Sequence, residues 1–467
     1  MRRRTFLRAS GLGVLAISTR CQIANKNLSR KPNILIIMTD QQFGDGMSCV
    51  LGKKYLHTPH IDSIAENGVR FTRAYSPNPL CVPMRTSMIT GQFPHQTKHQ
   101  TNARTELNPA DFVFMGKLFK DADYETAYFG KWHIPLNPKR KDVHGFDFFT
   151  EKSARLNPNP AANFLKQKHE RPFFAVVSFL GPHEICQWAR KEALPGEQLG
   201  TIPPLNQRPP MKTNSKPPEN ETDIMAHMRK SYQAARWFPI GDYTEDDWRR
   251  LIWGYYRLIE RVDGFVGTVM NALRESGLEE ETLVVFLSDH GDCHGAHRWN
   301  QKTVFYDESV RVPFIVSWKG KTPKGTSDVL INTGIDLIPT LCDFASISVP
   351  ASLPGKSLKA LALGKKPNWT REYVVSQNHM IQCEPVDGKD LKPMGRMVRS
   401  NRYKYCLYSE GKRRESLVDM ETDPGEMVNQ AENPEFEPVL KQHRAYLKEF
   451  AEGYNDDVAL AMLEQVI

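Results

Sequence analysis

"LVVFLSDHGD", residues Leu283–Asp292, passes without a break from apolar residues into Asp289-His290-Gly291-Asp292. The apolar part is short and rich in β-branched and aromatic side chains, which is how a strand reads. Three other runs end in the same manner. "NILIIM" (Asn33–Met38) leads into Thr39-Asp40-Gln41-Gln42, "TAYFG" (Thr126–Gly130) into Lys131-Trp132-His133, and "FFAVVSF" (Phe173–Phe179), after Leu180, into Gly181-Pro182-His183-Glu184. With a fifth run, "PFIVSW" (Pro313–Trp318), they alternate with helical stretches. That pattern predicts an α/β fold with a large, mainly parallel or mixed sheet flanked by helices. Ligands of such sheets bind outside the carboxyl ends of the strands, so the four polar tails are expected to meet in one cleft.

Between "FFAVVSF" and "LVVFLS" lies the clearest helix. Thr244 is its expected cap, Leu251, Tyr255, Leu258, Val262, Phe265, Val269 and Leu273 recur at steps of three and four, and Gly277 follows its end. Its apolar stripe should cover the sheet. From Pro195 to Pro218 seven prolines exclude helix and central strand, and the stretch is read as a long surface excursion. The 184–240 region and the C-terminal part are expected to shape a substrate cleft. Beyond Gly355 the pattern changes to alternating aromatic runs, "REYVVSQ" and "RYKYCLYS", then "SLVDMETDPGE" and a charged helix. This predicts a smaller C-terminal antiparallel sheet plus helix.

The formal charge is +8 over 467 residues, yet residues 1–31 hold eight Lys or Arg and no acid. The remainder carries 54 basic and 54 acidic residues, so no electrostatic footprint for nucleic acid remains. "MRRRTFLRASGLGVLAIS" joins a charged start to a short apolar stretch, Gly11–Ile17, too short to span a membrane. Arg3-Arg4-Thr5-Phe6-Leu7-Arg8 resembles the twin-arginine export signal of bacteria, which implies export machinery as a partner and a periplasmic or extracellular location. Arg20 before Cys21 is a poor match to a lipoprotein anchor. Eight cysteines without a Cys-x-x-Cys pair indicate neither a disulfide scaffold nor a zinc site, and leave any disulfide pairing unread.

"LCVPMR", Leu80–Arg85, is the most unusual stretch. Pro77, Pro79 and Pro83 oppose regular structure, and a short helix is expected from Arg85 to Thr90, stopped by Gly91. Cys81 would then sit at or just before a helix N-terminus, which favours negative charge, with Arg85 one turn on. Taken alone, Cys81 reads equally as an inert buried thiol. Taken with Asp40, Gln41, Asp289, His290, Lys131, His133, His183 and Lys302, it reads as part of a metal site with cationic neighbours. Such a site suits displacement at an anionic ester.

These residues also carry a family resemblance. "CVPMRTSMITGQ" resembles the Cys-x-Pro-x-Arg signature of the type I, formylglycine-dependent sulfatases of the alkaline-phosphatase-like superfamily. "TDQQ", "GKWH", "GPH", "LSDHGDCHGAHRWNQKTVFYDESVRVPFIV" and "SLVDMETDPGE" are similar to the other family segments, in the same order. The resemblance implies residues 1–31 as export signal and linker, 32–354 as the catalytic domain and 355–467 as a smaller α+β subdomain. It implies that a maturing enzyme converts Cys81 to formylglycine, whose hydrated aldehyde attacks sulfur through one hydroxyl while the other later expels sulfate. Asp40, Gln41, Asp289, His290 and the residue made from Cys81 would hold the metal. Arg85 would fix the formylglycine, Lys131 and Lys302 grip sulfate, His133 assist proton removal, and His183 act as general acid.

The sequence departs from the family at two points. Many members have paired acids where this chain has Asp40-Gln41, and Asn where it has His290. Fewer negative charges and an imidazole are less typical of calcium, so calcium remains the first expectation and manganese or another divalent ion is the alternative. Met84 replaces a common Ser. The expected function is secreted hydrolysis of sulfate esters, of a sulfated carbohydrate or small molecule. The alternatives are a phosphonate or phosphate monoester hydrolase, a choline-sulfatase-like enzyme, or a catalytically silent glycan-binding relative.

Overall fold

The computed structural model describes residues 31–103 and 105–466. The expected export signal and Cys21 fall on residues 1–30, outside the described residues. The main sheet has eight strands: β1 (Asn33–Asp40), β2 (Gly68–Phe71), β3 (Glu125–Gly130), β4 (Phe148–Thr150), β5 (Phe173–Pro182), β6 (Thr282–Ser288), β7 (Phe314–Ser317) and β8 (Gly325–Ser327). Their order is β4-β3-β5-β1-β6-β7-β2-β8. The five strands from β4 to β6 are parallel to one another; β7 is antiparallel to β6 and to β2, so the sheet is mixed. All four strands with polar tails lie side by side as β3-β5-β1-β6, which brings their carboxyl ends to one edge.

Both faces of this sheet are covered. Ile34, Ile36 and Met38 of β1 pack with helices α1 (Cys81–Thr90) and α3 (Thr333–Ala345), while Leu35 and Ile37 point the other way, into the stripe of α2 (Glu245–Glu275). Alternation along a strand thus feeds two cores. Thr244 caps α2 in a reciprocal box with Asp247, and every expected stripe residue is buried except Phe265, which is partly so. Fully burying each such aliphatic side chain is worth roughly 1.5–3 kcal/mol.

The sequence reading of α1 needs correction. The helix begins at Cys81, not Arg85, and runs through Pro83. Pro83 lies in the first turn, where its missing N–H has no intrahelical acceptor to lose. Gly91 ends the helix as expected, at φ 70°.

Beyond the main domain, β9 (Tyr373–His379), β10 (Met394–Ser400), β11 (Tyr403–Tyr408) and β12 (Glu415–Asp419) form the expected antiparallel sheet, in that order, with α4 (Glu437–Tyr454) against it. Its edge strand holds two loops of the main domain. Gln377 N donates to the Pro77 carbonyl (2.9 Å) and Asn378 Nδ2 to that of Thr303 (2.6 Å), just outside Cys81 and Lys302. The proline-rich excursion is pinned on α2 by Arg249, which donates to the carbonyls of Leu205, Arg208 and Pro209. The seven cysteines of the described residues are all free. Among these residues no helix is long and apolar enough to cross a membrane.

Candidate active site

Each strand end delivers its tail into one buried cluster. Asp40 is the last residue of β1, Lys131 follows β3, His183 follows β5, and Asp289-His290 follow β6. Gly130 makes the Lys131 turn feasible. At φ 100° it brings β3 so close to β5 that a Cβ would stand 1.9 Å from the Ser178 carbonyl, which instead accepts from Lys131 N at 2.7 Å.

Cys81, the first residue of α1, sits at the centre. Its Sγ lies 3.2 Å from His290 Nε2 and 3.6 Å from both Lys131 Nζ and Lys302 Nζ, and the imidazoles of His133 and His183 also reach it. Burial alone would push the thiol up, but the two lysines, His290 and His133 hold it well below its ordinary value. This is an electropositive pocket around a buried thiol, not the apolar surroundings of an inert core cysteine. His183 responds in the opposite sense: burial and the same two lysines bring it down to about 4. His133 is exposed and His183 half-buried, so both stand where the site opens.

Arg85 is fully buried and clamps the carboxylates. Nη2 donates to Asp40 (2.9 Å), Nε to Asp289 (2.8 Å), and Nη1 to the Lys131 carbonyl and Ser178 Oγ (2.8 Å each). Lys131 Nζ also pairs with Asp40. Burial and the charge of Cys81 oppose ionisation of Asp40, but Lys131, His183 and Arg85 outweigh them and hold it below the usual carboxylate range. Asp289 is pushed up by burial and by Asp40 beside it. A cation between the two would relieve that repulsion.

The donor set fits a divalent ion. One ligand atom each from Asp40, Cys81, Asp289 and His290 lies within 4.8 Å of the others, all four residues buried. Asp40 Oδ1 is buried with no hydrogen-bond partner, as a ligand oxygen awaiting a cation would be. His290 Nδ1 bonds the Gly291 carbonyl at 3.0 Å; a carbonyl only accepts, so in the neutral ring the lone pair is on Nε2, facing the cluster. Burial pulls His290 down, but Asp289 lifts it above its ordinary value. Gln41 lies beside the cluster: its Oε1 accepts at 2.5 Å from Lys302 Nζ, which also reaches Cys81 Sγ.

Every residue singled out from the sequence is thus in or at the rim of one site, though Arg85 touches the carboxylates and not Sγ. Sequence reading missed four contributors. Ser178 takes part with its carbonyl and hydroxyl, and its signal was a polar residue inside an otherwise apolar run. Tyr255 of the α2 stripe donates its hydroxyl to the Gln41 carbonyl (2.5 Å), supporting a backbone at φ 73°. Asn102 accepts from Val82 N at 3.1 Å, and nothing in the sequence marks it. Asp292 was visible in the Asp289–Asp292 tail but had no role.

Beside His133 a cleft of about 560 Å³ opens, lined among others by Asn102, Glu106, Trp132, Asn137 and Arg155. Residues 184–240 and the C-terminal part do not line this opening, which is built by the segment after α1 and the loops after β3 and around β4; they meet the site elsewhere, Cys186 Sγ lying 3.7 Å from Gln41 Oε1 and Tyr232 and Asn378 both bonding Thr303.

Comparison with known proteins agrees with this geometry. The family model described as Sulfatase matches residues 32–347, and that described as N-sulphoglucosamine sulphohydrolase, C-terminal, matches residues 295–453. The chain is 32% identical over 454 residues to the Delta 4,5-hexuronate-2-O-sulfatase of Bacteroides thetaiotaomicron, covering 91% of this chain and 90% of that one. It is 29% identical to the Ulvan-active sulfatase of Formosa agariphila, covering 90% and 81%. A solved structure of a 2-O GAG sulfatase matches at a TM-score of 0.81 and 29% identity, covering 92% of this chain and 94% of that chain.

Proposed function

The chain belongs to the sulfatase family and is a sulfuric ester hydrolase, and from that premise we propose that it is an exported enzyme removing sulfate from a sulfated carbohydrate. The observation that carries this reading is Cys81 held among Lys131, Lys302 and His290 beside a four-residue cation site. Two relatives named for a hexuronate 2-O-sulfate and for ulvan support a sulfated glycan as the substrate class, and the first of them favours a uronic acid at the sulfated position. The cleft beside His133 has the volume for a sugar leaving group.

Formylglycine, made from Cys81 by a maturing enzyme, supplies a hydrated aldehyde as nucleophile. Calcium, with manganese as the alternative, would be held by Asp40, Gln41, Asp289, His290 and the residue made from Cys81, and when bound polarises a sulfate oxygen. The chain's own residues do the rest. Lys131 and Lys302 face the anion and offset charge on its oxygens. Arg85 keeps Asp40 and Asp289 ionised and fixed. His133 takes the proton from the nucleophile's second hydroxyl on release, and His183 protonates the leaving oxygen. The lysines that hold His183 down are the groups an arriving sulfate neutralises, so its proton affinity rises as substrate binds. Export by the twin-arginine route and a periplasmic or extracellular location follow from Arg3-Arg4-Thr5-Phe6-Leu7-Arg8.

Two measurements test the reading. In a paired assay, kcat/KM for an aryl sulfate should exceed that for the matching aryl phosphonate by about tenfold or more, some 1.4 kcal/mol of transition-state discrimination. A reversed preference would favour the phosphonate hydrolase alternative. His183→Ala should cost roughly 10²–10³-fold on a sugar sulfate but under about tenfold on nitrophenyl sulfate, whose leaving group needs no proton. Equal losses on both would remove His183 as general acid.

A further inference from the structure

The metal ligand that the family resemblance implies at position 41 is an amide in this chain, not a carboxylate. A carboxylate presents oxygen whichever way it turns, whereas an amide presents oxygen in one of its two flips and an NH₂ group in the other. A glutamine ligand therefore needs something to set its flip, and the structure supplies it. Gln41 Nε2 donates to Asp292 Oδ2 at 2.6 Å, while Gln41 Oε1 accepts from Lys302 Nζ at 2.5 Å. The assignment follows from chemistry as well as coordinates. Asp292 is buried and already accepts from two backbone groups, His294 N on Oδ1 (2.6 Å) and Gln301 N on Oδ2 (3.1 Å), so it meets Gln41 as an acceptor. The lysine ammonium is a donor only. An acceptor on one side and a donor on the other leave the amide one orientation.

We propose that Asp292 is a positioning residue that fixes the Gln41 amide with its oxygen toward the cation site. The proposal rests on reading the Asp40–Cys81–Asp289–His290 cluster as that site. The Asp292 carboxylate also closes the turn that carries Lys302, since Cys293 N bonds the Gln301 carbonyl at 2.8 Å within it. A purely structural role must therefore be separated from positioning.

A double-mutant cycle does so, read by calorimetric titration of Ca²⁺ and of Mn²⁺ into the chelator-stripped full chain. Asp292→Asn should weaken cation affinity by about tenfold or more, the usual scale for groups that orient a metal ligand. In a Gln41→Met background there is no amide to orient, so Asp292→Asn should change affinity by less than roughly twofold. Equal weakening in both backgrounds would show that Asp292 acts through charge or the turn alone and would overturn the proposal, as would no weakening in the native background. Should Asp292→Asn alone not fold, Gln41→Met alone decides: without the oriented amide oxygen, cation affinity should fall by about tenfold or more. Unchanged affinity in Gln41→Met would contradict the proposal. If the native protein binds neither ion, the metal reading itself falls, a result distinct from any outcome of the cycle.

Discussion

Cys81→Ala is expected to bring sulfate-ester hydrolysis down to background, a loss of at least about 10⁴-fold in kcat, with the fold intact. In the proposed function the carbon bearing the Cys81 thiol is the atom oxidised to give the nucleophile, and among the described residues Cys81 is the cysteine bonded to both lysines. The side chain is small and buried at the first position of α1, so its truncation leaves the packing of Met84, Met88 and Ile89 against the sheet untouched. Urea unfolding of the variant should give a midpoint close to that of the native protein. Activity retained in the variant would remove the nucleophile from the mechanism.

Arg85→Met tests the scaffold under the site. The native guanidinium lies between two fully buried carboxylates with good geometry to both. Removing it leaves Asp40 and Asp289 facing each other, and breaking a buried pair in this way costs about 3–5 kcal/mol. The metal-free variant should lose that much stability at neutral pH by urea unfolding, and kcat/KM should fall by roughly 10²–10³-fold. Added Ca²⁺ should recover part of the stability, since a cation binding only the folded state takes over the missing charge. The pH dependence has a definite sign. Native Asp40 is held below the usual carboxylate range, so it contributes stability above its unfolded value of 3.8 that is lost as pH falls through the folded value. In the variant Asp40 keeps Lys131, but Asp289, already pushed up by burial and by Asp40, loses the guanidinium that opposed that rise, so the penalty is relieved on protonation of Asp289. The deficit should shrink as the pH is lowered toward 4. A deficit that is independent of both Ca²⁺ and pH would show that the loss is one of packing.

The fold was legible where local patterns agree with the final packing. The four strands with polar tails, the Thr244 cap and the α2 stripe all stand as the periodicity indicated, because each strand end and each stripe is set by its own residues. The start of α1 was not legible in the same way. Pro83 reads as a breaker in isolation, and only the three-dimensional context shows that it occupies a first-turn position. The course of the proline-rich excursion was not legible for a related reason. A proline-rich stretch declares that it is neither helix nor strand, but Arg249, forty residues away in sequence, decides where it lies.

Within the site, residues on strand ends were found from sequence and those acting across strands were not. Asp40, Lys131 and Asp289 follow apolar runs directly, so their placement comes with the strand. Ser178, Tyr255 and Asn102 act through a hydroxyl or an amide brought from a neighbouring element, which no spacing along the chain encodes. Asp292 lies between the two cases. Its position at the end of β6 was plain, but its partner Gln41 comes from β1, and the pairing exists only once those strands are adjacent.

The central claim is that Cys81 becomes the catalytic nucleophile, and mass spectrometry of the tryptic peptide Ala74–Arg85 from protein purified out of its native host tests it most directly. The account predicts a peptide in which the Cys81 thiol has been replaced by an aldehyde. An unmodified thiol throughout, in protein that nonetheless hydrolyses sulfate esters, would contradict it.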